Sequence, residues 1–377
     1  MSRRISAHYT LTGGELRRGI VVEVDNEGTI TSITEHQNID NLAHVEFYPG
    51  ILIPGMVNAH CHLELAYLRG AIAEATGFAG FAREIGRVRG AYSDYERIHA
   101  ASVADAEMWQ EGVEAVADIA NDALVMDVKR RSPIHYLTFF EHFGLNNLDI
   151  TPSKQMADSE GGRLTPHSTY SVQDAPFKEI CNLSGEILSL HMLESKAESE
   201  LYVGCGSLAE WYGRMGWECD FIDYFTPARR VVESIANDKR LLLVHGCEAT
   251  ARDVEMLDAH FIEQPTWVLC PESNRYISNS KPPVDMLRRM GAAMAIGTDS
   301  LASARSLSMI DNMRLLSNDV ELTELLRWAT IGGAKALGLE ATLGDIAVGK
   351  RPGLVIIEGA DFEAMRLGNE SKSRRIL

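Results

Sequence analysis

No apolar run in these 377 residues approaches the roughly 20 residues that a membrane-spanning helix needs. That excludes a helical membrane protein. An excess of positive charge is missing too: 36 Lys and Arg stand against 53 Asp and Glu, a net charge of −17. Such a body repels phosphate backbones and anionic lipid, so nucleic acid and membranes are excluded as expected partners. The start, Met1-Ser-Arg-Arg-Ile-Ser6, carries two arginines with no apolar segment behind them, and no signal peptide is expected. The six cysteines (Cys61, Cys181, Cys205, Cys219, Cys247, Cys270) include no C-x-x-C pair. They read as reduced thiols in a cytoplasmic protein rather than a disulfide framework. Internal repeats and low-complexity segments are also lacking.

What is present is an alternation of elements between two small β-rich ends. Residues 1–50 hold short strand-like runs, such as Ile20–Val24 and Thr29–Ile33, with the turn Asn26-Glu-Gly28 between them. Leu343–Gly349 and Leu354–Ile357 repeat that character at the far end. Each set is too small to be stable alone. We therefore expect residues 1–50 and 341–377 to pack together as a small β-sandwich domain, with a tail from Glu370 left in solvent. Residues 51–340 alternate strand candidates with helical patterns. The strands are predicted at Phe47–Pro54 running on through His60, Val113–Ile119, Ile134–Phe140, Arg163–His167, Glu186–His191, Leu241–His245, Thr266–Cys270 and Ala292–Ile296. Helices are expected behind the capping box Ser93-x-x-Glu96, behind Thr226-Pro227, and over Ala251–Phe261, Pro283–Met290 and Glu321–Leu337. This α/β pattern predicts a (β/α)8 TIM barrel, with function at the C-terminal strand ends. An open doubly wound sheet would want a glycine-rich phosphate turn after an early strand, and none is visible.

The chemistry sits where the apolar strands stop. The stretch Gly55-Met-Val-Asn-Ala-His60-Cys-His62-Leu-Glu64 sets two histidines at i and i+2, on one side of an extended chain, with Cys61 on the other. Alone, this is equally a histidine pair on a wet strand. Later strands end at His167, His191, His245 and Asp299. In a barrel all these ends converge on one mouth, and such a set suits a divalent metal, zinc first. A bound metal lowers the pKa of water toward neutral. Glu194, three residues past His191, can face a substrate and move its protons. The competing reading is a helix-start carboxylate.

Together these segments carry a resemblance. Pro54-Gly-Met-Val-Asn-Ala-His-Cys-His62, His191-x-x-Glu194, Val244-His-Gly246, Cys270-Pro-Glu-Ser-Asn274 and Gly297-Thr-Asp-Ser-Leu-Ala-Ser303 resemble the amidohydrolase superfamily. The nearest branch holds the cytosine, S-adenosylhomocysteine, aminofutalosine and guanine deaminases and the chlorohydrolases. The resemblance spans nearly the whole chain. It implies one divalent metal, zinc or alternatively iron, held by His60, His62, His191 and Asp299. It implies Glu194 as proton shuttle, His245 beside the attacking water or the leaving group, and Asp299 as the acceptor of the water's proton. The branch with two metals uses a strand-four lysine, and Arg163–His167 has none. The unrelated deaminases that combine H-x-E with P-C-x-x-C are excluded, because no P-C-x-x-C occurs.

The implied activity is hydrolytic deamination of an amino-substituted nitrogen heterocycle, a purine or adenosine derivative first. Hydrolysis of a cyclic amide or a carbon–chlorine bond stays open, as does a non-catalytic barrel that only binds. Expected substrate contacts are His167, Glu64 and Asn274, with Arg275 at the mouth. Leu193–Met215 is expected to cover the pocket, with Tyr202, Trp211 and Tyr212 stacking on a flat ring. Partners are a small-molecule substrate and, as in relatives, a second copy in a homodimer.

Overall fold

The computed structural model describes residues 2–35 and 44–377, so part of the expected N-terminal segment lies outside the described residues. The chain opens with β1 (Arg3–Thr12), β2 (Glu15–Arg17), β3 (Ile20–Val24), β4 (Ile30–Glu35) and β5 (Glu46–Pro54). The middle supplies β6 (Met56–Cys61), β7 (Val113–Ala120), β8 (His135–His142), β9 (Arg163–Pro166), β10 (Ile187–Met192), β11 (Arg240–His245), β12 (Thr266–Leu269) and β13 (Ala293–Ile296). The chain closes with β14 (Leu354–Asp361) and β15 (Arg366–Arg375).

Both chain ends share one sheet, ordered β15-β14-β5-β1-β3-β4 with β2 beside β1. The expectation of two facing sheets is corrected, because hydrogen bonding runs unbroken through all seven strands. The join is β5, which pairs parallel with β1 on one edge and antiparallel with β14 on the other. Leu343–Gly349 is not a strand. It makes turns, buries Ile346 against Ile5, Val22 and Leu354, and meets the sheet through Gly349 N donating to Ile30 O at 2.8 Å. The tail from Glu370 is not a free end either. It lies in β15, paired with β14 from Val355↔Arg375 to Asp361↔Arg366. Its polar sequence suits an edge strand, where one row of groups meets water. Arg375 then reaches back under the first long helix. Its Nε donates to Trp109 O at 2.8 Å and its Nη2 to Val113 O at 2.9 Å. It also pairs with Glu114, and its guanidinium lies 3.2 Å above the Trp109 ring.

The middle strands form two parallel sheets in chain order, β6-β7-β8-β9 and β10-β11-β12-β13. Single bridges join their edges: Cys61 to Asp299 at one seam, Ser168 to His191 at the other. Parallel strands buried on both faces need continuous apolar runs. Alternate residues of β11 show the result. Leu242 and Val244 pack inward with Val57, Ala117, Phe139, Val268 and Ala295, while Leu241 and Leu243 pack outward with Val254 and Leu257. The polar residues are displaced to the strand ends.

The helices follow their sequence signals. Ser93 and Glu96 make both bonds of a capping box at the start of Asp94–Glu111, and the Thr226 hydroxyl caps Pro227–Ser234. The expected helix Glu321–Leu337 is interrupted by a π-helical turn, Trp328–Gly332. It presses on the β6–β13 seam, where a Cβ on Gly333 would sit 2.8 Å from the Val57 carbonyl oxygen. No larger residue fits there.

Replacing Arg375 by Ala should remove its bonds to Trp109, Val113 and Glu114 and cost about 2–3 kcal/mol. A thermal melt reads this as a transition lowered by several degrees. An unchanged melt would mean that the tail is not docked.

Candidate active site

Four backbone bonds bring the candidate residues together. At one seam Thr298 N and Asp299 N both donate to His60 O, at 2.9 and 3.0 Å. At the other His191 N donates to His167 O at 3.0 Å and Thr169 N to His191 O at 3.4 Å. The Asp299 side chain therefore stands beside the His60 ring, and the His191 ring stands opposite. Gly297 makes the approach possible, since a Cβ there would lie 2.9 Å from the Cβ of His60. Three site residues hold left-handed backbone without being glycine: Leu193 (φ 52°), His245 (φ 76°) and Asp299 (φ 58°). Such conformations cost on the order of 1–3 kcal/mol each, and concentrate where function sets the geometry.

His60 Nε2 lies 3.2 Å from His191 Nε2 and 3.9 Å from Asp299 Oδ1, and His62 Nε2 lies 3.6 Å from Asp299 Oδ1. Burial, then neighbouring rings, pushes the His60 and His191 pKa values well below the usual histidine range. His191 Nδ1 donates to the His167 carbonyl at 2.8 Å, which leaves its Nε2 with a lone pair. His60 Nδ1 is buried without a hydrogen-bond partner among the described residues. For Asp299 burial works upward, but His62, His245, His60 and the Ser273 hydroxyl outweigh it and hold the carboxyl at about 2. Ser273 Oγ donates to Asp299 Oδ2 at 2.5 Å, and Ser303 Oγ at 3.1 Å. Neutral imidazoles and an ionised carboxylate are a ready donor set for a divalent ion. The 3.2 Å gap between ring nitrogens matches the edge of a tetrahedron, about 3.3 Å for zinc–nitrogen bonds of about 2.0–2.1 Å.

Above this cluster opens a cavity of about 360 Å³. Glu194 reaches it from the turn after β10. Its Oε2 accepts from the Tyr170 hydroxyl at 2.6 Å, and its Oε1 lies 3.7 Å from His245 Nε2. Glu198 is buried behind it, accepting from Glu194 N at 3.0 Å and from the Thr169 hydroxyl. Burial raises that carboxyl to about 8 against the pull of those donors. The fully buried Arg230 fixes the neighbouring loop. It donates to Thr169 O at 2.7 Å and Val172 O at 2.8 Å, between the rings of Phe177 and Phe221.

Two expected substrate contacts stand behind the wall instead of on it. Asn274 is buried and accepts from His245 Nδ1 at 2.9 Å, so it orients that ring. Glu64 is buried and pairs with Arg89 Nη2 at 3.0 Å while accepting from Asn121 N at 2.8 Å. Both are drawn inward because buried backbone and ring N–H groups need acceptors. His167 does line the cavity, its Nδ1 2.8 Å from Ser171 Oγ. Leu193–Met215 is not an open loop. Helices Lys196–Leu201 and Gly206–Met215 fill it, and they place Trp211 and Tyr212 on the lining but bury Tyr202 against Phe221. Arg275 is exposed and off the lining.

Several lining residues went unread in the sequence: Arg89, Asn121, Glu141, Tyr170 and the helix Phe78–Val88, which contributes Phe78, Phe81 and Ile85. Glu141 and Asn121 follow the same rule that marks the histidines, since each closes an apolar strand. The helix carries no chemical signal at all.

The chain belongs to the amidohydrolase family, whose model matches residues 51–373. It is a hydrolase acting on carbon–nitrogen bonds. An adenosine deaminase of Helicobacter pylori is 27% identical over 330 residues, 82% of this chain and 79% of that protein. The solved structure of Helicobacter pylori aminofutalosine deaminase in complex with methylthio-coformycin is similar with a TM-score of 0.79. It is 24% identical and covers 95% of this chain and 93% of its own. Atrazine chlorohydrolase from Arthrobacter aurescens TC1, solved with zinc, is similar with a TM-score of 0.74. It is 15% identical and covers 96% of this chain and 90% of its own.

Adding zinc to chelator-stripped protein should raise its melting temperature by linkage. The rise should vanish in His60→Ala and in Asp299→Asn. An equal rise in the parent and both variants would move the ion elsewhere.

Proposed function

We propose that this chain is a metal-dependent deaminase of an amino-substituted nitrogen heterocycle, a purine or adenosine derivative first. The observation that carries this is Glu194, held by Tyr170 and beside His245, on a cavity whose floor is the His60, His62, His191 and Asp299 cluster. We assign one divalent ion to those four residues, zinc, or iron with the same donors. When bound, such an ion supplies the positive charge that lets water attack near neutral pH.

The chain's own groups do the rest. His167 and the aromatic wall of Phe78, Trp211 and Tyr212 hold the ring flat against the floor. Asp299 accepts the proton that the attacking water loses. Glu194 delivers a proton to the ring nitrogen beside the attacked carbon, with Tyr170 fixing which carboxylate oxygen faces it. His245, oriented by Asn274, stabilises the developing oxygen charge. A proton passed to the amino group then frees ammonia and leaves a ring carbonyl. The competing release of chloride needs no protonated leaving group, and it makes less use of a braced Glu194. A barrel that only binds would have no use for it.

The same reading takes the two four-stranded sheets as one (β/α)8 barrel over residues 51–340. Residues 1–50 and 341–377 form the small β-domain, and β5 is the strap between them. Among the described residues no helix is long and apolar enough to cross a membrane, and all six cysteines are free. We place the protein in the cytoplasm, as a homodimer.

Ammonia release should appear on a panel of purines, pterins, pyrimidines and adenosyl compounds. Chloride release alone, from halogenated analogues, would reverse the deaminase assignment. Glu194→Gln should lower turnover about 10²–10⁴-fold while metal content stays at the parental level. Full activity in that variant would remove the shuttle role.

A further inference from the structure

The deamination steps leave one wall of the cavity unused. Asn121 follows the end of β7, Glu141 lies near the end of β8, and Arg89 follows the helix Phe78–Val88. Glu141 is only 7% exposed. Its Oε1 accepts from Asn121 Nδ2 at 2.7 Å, and its Oε2 is buried with no partner among the described residues. A buried carboxylate oxygen without a donor is costly, so such groups are nearly always matched. One carboxylate oxygen of Glu141 lies within 4.8 Å of ring nitrogens of both His167 and His191. The missing donor therefore belongs to whatever occupies the cavity beside the cluster.

The neighbours define what that occupant carries. Arg89 is the one Arg or Lys on the lining, among the described residues. Its Nη2 donates to Glu64 Oε1 at 3.0 Å and to Asn121 Oδ1 at 2.6 Å. Asn121 thus accepts from Arg89 and donates to Glu141, locking a donor and an acceptor side by side. The charges do not balance, because Glu64 and Glu141 face a single guanidinium and Glu64 already matches it. A carboxylate or phosphate on the substrate would meet Glu141, with Arg89 already matched by Glu64. An apolar substituent would leave Oε2 unpaired. An ammonium group would satisfy Glu141 but stand against Arg89. A hydroxyl both donates and accepts, and it uses the two groups together.

We propose that Glu141, set by Asn121 and Arg89, is a specificity-determining residue. It takes the hydroxyl groups of an uncharged, sugar-like substituent on the heterocycle and rejects anionic substituents. This rests on reading the cavity as a deaminase pocket.

The test compares adenosine with 2′,3′-dideoxyadenosine on the parent, Glu141→Gln and Glu141→Ala. Ammonia release gives kcat and KM, and the shift in melting temperature with each nucleoside reads binding without turnover. The parent should favour adenosine by at least about 10-fold in kcat/KM, mostly through KM. In Glu141→Ala that preference should collapse toward parity, with the dideoxy compound little affected. Glu141→Gln keeps one acceptor and the bulk of the side chain, and should fall between; it serves alone if the Ala variant fails to fold. Equal handling of both nucleosides by the parent would overturn the proposal. So would a variant that melts normally and loses both activities by the same factor. If no ammonia is released but adenosine alone stabilises the parent, the deaminase reading fails and the subsite stands. If neither readout separates the nucleosides, the subsite falls.

Discussion

The carbonyl oxygen of His60 accepts from both Thr298 and Asp299, and the rest of the site depends on that seam. A bond of this kind is worth only about 1 kcal/mol net, but leaving a buried backbone group unpaired costs more. The two four-stranded sheets must therefore meet in one register. That register sets an aspartate from the last strand against a histidine from the first. The opposite seam repeats the logic, with His191 bonded through its backbone and through Nδ1 to the carbonyl of His167. The groups that join the sheets are the groups that form the donor cluster. A slip of one residue at either seam would turn the cluster away from the cavity.

Around the cluster runs a layer of buried polar residues with no direct access to the cavity. Asn274 turns His245, Ser273 and Ser303 hold Asp299, Glu198 braces the backbone of Glu194, and Glu64 holds Arg89. Each satisfies a donor or acceptor that burial would otherwise strand. Their collective effect is to leave Glu194, His245 and Asp299 with one orientation each. Preorganised charge of this sort needs no reorganisation during a reaction, which is where such sites derive most of their effect.

Much of this was legible in the chain. Seven of the eight middle strands could be read from apolar runs with ends within about two residues of the expected ones, as terminal fraying allows. The first, expected to run from Phe47 through His60, divides at Gly55 into β5 of the small sheet and β6. The two capping signals tested by hydrogen bonds, at Ser93 and Thr226, were legible because a cap is a local bond between near neighbours. The polar strand ends pointed to His60, His62, His191, His245 and Asp299. The errors had a common source. Glu64 and Asn274 are the right residue types beside the right motifs, but nothing local says whether a side chain faces a cavity or the layer behind it. The tail from Glu370 read as solvated because its composition is polar, and only pairing with β14 makes it a strand.

By itself the sequence determined where histidines and carboxylates close apolar strands, because those ends are marked by the period of the strand. It determined the eight middle strands and the meeting of the two chain ends for the same reason: hydrophobic patterning is a local property. The tertiary structure alone decided which of those residues meet and at what distance. Asp299 reaches His60 across 239 positions of chain through a register that no local pattern encodes. It also decided the wall of Arg89, Asn121 and Glu141, whose meaning lies in one oxygen, unpaired among the described residues, that is placed only once three separate segments have packed.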